Sequence, residues 1–106
     1  MKQSLIFRAA LAAVAMGLAS PAFADLELAK KYSCVACHQI DKKSIGPAYK
    51  DVAAKYKGDA AAPARLADHV KNGSVGVWGQ MPMPANSQVP DEDVKKLVAW
   101  ILAGAK

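Results

Sequence analysis

Five consecutive residues, Cys34-Val35-Ala36-Cys37-His38, constrain this chain more than any other feature. They match C-x-x-C-H, the attachment signature of a c-type haem. Two thiols three positions apart on a helical turn can add to the two vinyl groups along one haem edge. His38, the next residue, is then placed to put an imidazole nitrogen on the iron. A thioredoxin-like redox site would need a βαβ setting, and the chain has no strand pattern. A zinc site needs about four ligands. Two Cys and two His are available, but not at the spacing of such sites. The expectation is one haem c, held covalently through two thioethers by Cys34 and Cys37, with His38 as an iron ligand.

The N-terminus points the same way. Lys2 and Arg8 begin residues 1–24 with positive charge, an Ala- and Leu-rich run follows, and Ala22-Phe23-Ala24 forms an A-x-A cleavage site. The apolar run is too short to span a bilayer. Residues 1–24 therefore read as a cleaved signal peptide and 25–106 as one domain of 82 residues, exported and without stable membrane insertion. Export suits haem attachment, because c-type haems are added outside the bacterial plasma membrane. A domain that small buries a modest core and usually needs a staple, and a covalent macrocycle supplies one.

The formal charge is +5 for the full chain. Once Lys2 and Arg8 leave, twelve basic side chains face nine acidic ones, a net +3. Two haem propionates lower that by about two. No dense Lys/Arg cluster is interleaved with aromatics, so nucleic-acid binding is not indicated.

The pattern along the chain is helical, an all-α chain of four to five short helices. Residues 26–33 form a short helix with Asp25 as its N-cap. Gly46-Pro47 breaks the chain, and 48–57 is a second helix ending at Gly58. Pro63 opens a third, which passes Leu66 and Val70 and stops at Asn72-Gly73. Pro90 followed by Asp91, Glu92 and Asp93 suits the start of a fourth, where acidic groups complement the helix dipole. Within it Val94, Leu97, Val98, Ile101 and Leu102 share a core-facing stripe.

The segment 72–89 is different. It holds three glycines and two prolines and has no periodicity. Its apolar content (Val75, Val77, Trp78, Met81, Met83) argues against disorder, and a long loop in a compact domain is usually functional. A loop folded over a haem face accounts for it. It also carries the only methionines after residue 24, Met81 and Met83. Met83 lies between Pro82 and Pro84, whose fixed φ angles stiffen its backbone, so it is the preferred sixth ligand. Met81 is the alternative, or a flexible core filler. His69, the other histidine, falls inside a predicted helix and reaches the iron less easily. His/Met ligation raises the reduction potential and suits electron transfer.

These segments resemble the small bacterial class I cytochromes c of the c-551 (c8) type over nearly all of 25–106. The matching pieces are Cys34 to His38, Gly46-Pro-Ala-Tyr-Lys-Asp-Val-Ala-Ala-Lys55, Lys71-Asn-Gly-Ser74, Gly76-Val-Trp-Gly79, Pro82-Met-Pro84 with Asn86, and Trp100. The chain departs from the commonest pattern by one extra residue between Asn86 and the last helix. The resemblance implies the cytochrome c fold, all-α, wrapped around one haem whose edge is exposed. It implies one-electron transfer in the periplasm by a monomer. The acceptor would be a respiratory reductase such as nitrite reductase, and the donor a membrane cytochrome complex. It also implies residue roles. Pro47 would offer its carbonyl to the proximal imidazole, Trp78 would donate its indole N–H to a propionate, and Asn86 would bond near the methionine sulfur. His69 would lie near a propionate. The expected activity is that of a carrier, not an enzyme. Catalysis would need an open iron position or nearby acid–base groups. A haem peroxidase and a diatomic-gas sensor are the rivals, and both require an iron that is five-coordinate or loses its sixth ligand readily.

Overall fold

A computed structural model describes residues 21–106. The signal-peptide reading falls mostly outside the described residues. Four α-helices form, α1 (Pro21–Lys31), α2 (Tyr49–Lys55), α3 (Ala62–Asn72) and α4 (Asp91–Leu102), with a 3-10 turn at Cys34–Ala36. Among the described residues the extended structure is one isolated antiparallel bridge, Ser74 to Met83. The all-α expectation therefore holds, with boundaries shifted by a few residues. One detail differs. In the full chain α1 begins at Pro21, so Asp25 lies inside the helix and does not cap it.

α4 is the organising element, and α1, α2 and α3 all pack against it. Its start follows from charge and stereochemistry. Pro90 precedes the first turn at φ −61°, and Asp91, Glu92 and Asp93 occupy that turn, where carboxylates face the positive end of the helix dipole. Val94, Leu97, Val98 and Trp100 are buried along it, while Ile101 and Leu102 pack at the edge of the same core. From the other helices come Ala29, Tyr49, Val52, Ala62 and Leu66, with Tyr56 from the end of α2.

Two junctions position the cysteine motif. The Tyr32 hydroxyl donates to Asp93 Oδ2 at 2.6 Å, tying the end of α1 to the first turn of α4. Ser33 then takes the left-handed conformation, φ 62°. That reversal turns the chain out of α1 and into the motif.

Candidate functional site

The cysteine motif is one tight turn. The Cys37 and His38 N–H groups donate to the Cys34 carbonyl at 3.1 and 3.0 Å, which brings both thiols and the imidazole to the same short segment. Both cysteines are half-buried and are not bonded to each other. Burial pushes the Cys34 thiol up from its ordinary value, the neighbouring Tyr49 hydroxyl opposing only in part. Reactive thiolates need an electropositive setting that lowers the pKa. Cys34 has the opposite setting, which argues against thiol–disulfide chemistry. Zinc also lacks a ligand set, since no three His, Cys, Asp or Glu side chains gather among the described residues.

His38 is held on three sides. Its Nδ1 lies 2.8 Å from the Pro47 carbonyl. A carbonyl can only accept, so Nδ1 carries the proton and Nε2 keeps its lone pair free for a metal. Gly46 lies against the ring: a Cβ there would stand 2.6 Å from the imidazole Cε1, so any side chain would displace the histidine. Tyr49 stacks on the imidazole at 5.1 Å and 19°, and meets Trp100 edge-on at 5.4 Å and 69°. Burial pushes the Tyr49 phenol well up from its ordinary range, so it stays neutral beside His38.

The loop 73–90 carries the other half. Met83 exchanges two backbone bonds with Ser74, donating at 2.8 Å and accepting at 3.1 Å. Gly73 is required where the loop leaves α3. Its φ is 84°, and a Cβ would stand 2.7 Å from the Met83 carbonyl oxygen. Met83 is half-buried, whereas Met81 is 64% exposed. The Asn86 N–H donates to the Val70 carbonyl at 2.8 Å, and its side-chain amide donates to Pro84 at 3.2 Å. Asn86 thus braces the loop's own backbone immediately after Met83. Trp78 is partly exposed, with the Lys55 ammonium 5.4 Å from its ring centre. His69 is half-buried on α3, and its carbonyl accepts from Gly73 N–H at 2.9 Å.

The residues fit a haem. Two thiols, a free imidazole nitrogen and a fringe of exposed apolar side chains, Val35, Ile45, Val75, Trp78 and Met81, match what an apolar macrocycle with a covalent edge would need. The Trp100 indole N–H, buried and without a partner among the described residues, lies in the wall behind Tyr49. The cytochrome c family profile matches residues 26–105. The chain belongs to the cytochrome c family. It is 56% identical to cytochrome c-551 of Allochromatium vinosum over 92 residues, 87% of this chain and 98% of the relative. It is 54% identical to cytochrome c-552 of Nitrosomonas europaea over 91 residues, covering 86% and 88%. The crystal structure of wild-type Nitrosomonas europaea cytochrome c552 superposes with a TM-score of 0.72 at 54% identity, covering 74% of this chain and 96% of that one. The chain is thus a small class I cytochrome c of the c-551 type. It carries haem c attached through Cys34 and Cys37, and its relatives are electron carriers.

Sequence reasoning read Gly46 and Gly73 only as breaks in the chain and gave no site role to Tyr49 or Lys71. Tyr49, two residues beyond Pro47, carried the best signal, since an aromatic so close to the imidazole's acceptor is well placed to pack on the ring.

Proposed function

We propose that this chain is a monomeric periplasmic one-electron carrier in which His38 and Met83 would hold the haem iron. The haem supplies the one-electron Fe(II)/Fe(III) couple. The observation that carries the reading is the pair of clamps. His38 is oriented by the Pro47 carbonyl with Nε2 free, and Met83 has its backbone locked to Ser74. The first clamp orients the His38 ring and the second fixes the Met83 backbone, which would limit reorganisation during electron transfer. Trp78 and His69 would serve the propionates, and Asn86 would brace Met83. Among the described residues no helix is long and apolar enough to cross a membrane. Cleavage after Ala24 would leave Asp25 as the first residue of the carrier. A respiratory reductase, such as a nitrite reductase, would accept its electrons and a membrane cytochrome complex would supply them. Steering would fall to Lys42 and Lys43, because Lys50 is paired with Asp41 at 2.8 Å.

Spectroscopy of the exported protein tests this. Met83→Ala should abolish the charge-transfer absorption of a Met–Fe(III) bond and lower the potential, while Met81→Ala stays near wild type. The reverse result would identify Met81 as the ligand. Carbon monoxide binding readily to the reduced wild type would favour the gas-sensor or peroxidase reading. Intact mass should equal residues 25–106 plus one haem, and another N-terminus would overturn the cleavage reading.

A further inference from the structure

Lys71 stands in the last turn of α3, with its side chain 30% exposed. Three acceptors converge on its ammonium. The Val89 carbonyl lies at 2.8 Å, the Ser87 carbonyl at 3.3 Å and Asp91 Oδ1 at 3.1 Å. An ammonium has three donors, and these partners match them one for one. The two carbonyls belong to the stretch that returns from Met83 to α4, and Asp91 is the first residue of α4. The outgoing stretch is fastened to α3 by covalent continuity through Gly73 and Ser74. The return has no such continuity, and Asn86 N–H and Lys71 tie it back to α3. A cation at this end of α3 also complements the negative end of its dipole, which keeps the ammonium in place.

We infer that Lys71 is a positioning residue for Met83: it closes the loop behind the methionine and holds the sulfur against departure. The inference rests on the reading of Met83 as a ligand. If Lys71 lets go, the return strand is held by the Asn86 N–H, and the population with Met83 displaced rises. An external ligand that must replace Met83 binds with an apparent affinity set by that population.

The probe is imidazole titrated into the oxidised, haem-loaded protein, read by loss of the Met–Fe(III) charge-transfer absorption. Lys71→Met keeps the side-chain stem and removes the donors. It should bind imidazole about tenfold more tightly or better, the scale of losing hydrogen bonds to a charged group. Lys71→Arg should restore most of the wild-type affinity. Asp91→Asn should stay within about twofold, because both carbonyl bonds remain and exposed ion pairs contribute little. Lys71→Gln serves if Lys71→Met fails to fold. A lysine variant with wild-type imidazole affinity, even one that melts at lower temperature, would overturn the inference and leave Lys71 a purely structural residue. Met83→Ala separates the two claims. If it leaves imidazole affinity unchanged, the ligand assignment has failed. If it raises the affinity and the lysine variants do not, only the role of Lys71 has failed.

Discussion

The arm that carries His38 and the loop that carries Met83 hold their side chains by different physics. On the His38 side, Ala48 and Tyr49 are buried at 0% and 3% exposure, and an aromatic stack runs from His38 through Tyr49 to Trp100 in α4. The imidazole is fixed by packing into the core. On the Met83 side, the loop is fastened by main-chain bonds to the end of α3 with one lysine behind it. Burial is cooperative with the whole fold. Partly solvated hydrogen bonds each contribute only about 0.5–1.5 kcal/mol net and can open locally. The methionine side should therefore yield first under denaturant, while the histidine side persists until global unfolding.

The largest effect should come from breaking the buried side. Tyr49→Ala removes the ring between His38 and Trp100 and should cost about 3–5 kcal/mol, the usual range for a large buried aromatic. Chemical denaturation of the haem-loaded protein measures it. A loss under about 1 kcal/mol would mean that the stack contributes little beyond area, and the contrast between the two sides would collapse.

A smaller global effect but a larger spectral one should come from Gly73→Ala. A backbone at φ 84° and ψ 172° is nearly exclusive to glycine and costs another residue about 1–3 kcal/mol, and the new Cβ meets the Met83 carbonyl at 2.7 Å. The charge-transfer absorption should weaken at denaturant concentrations that leave helix content unchanged. If absorption and helicity are lost together, the loop is not a separately opening unit.

The mildest test uses pH. The hydrogen bond to Asp93 is the main cause that raises the Tyr32 phenol above its ordinary value near 10. A raised folded-state pKa favours the protonated form. The Tyr32–Asp93 contribution is therefore complete below the unfolded-state value and is lost as pH rises through the folded one. Stability against pH should fall less steeply above about 10 in Tyr32→Phe than in wild type. Identical slopes would show that the junction between α1 and α4 does not depend on this bond.

The residues that bear chemistry were legible in the chain because their signals are local. C-x-x-C-H needs only one turn, and Pro82-Met83-Pro84 stiffens its own backbone. The stripe from Val94 to Leu102 identifies α4 by period, and Asn72-Gly73 marks the end of α3. Pairwise geometry was legible only where the family resemblance supplied it, as for the Pro47 carbonyl and His38. Nothing near Lys71 in sequence shows that its ammonium meets carbonyls sixteen and eighteen residues later. Nor does anything near Gly46 show that the His38 ring leaves no room for a Cβ. The sequence by itself determined the helices and the covalent attachment, since propensity, period and side-chain chemistry act over a few residues. Only the tertiary structure decided which ring stacks on His38 and what holds the loop behind Met83, because each depends on groups that meet in space only when the helices pack.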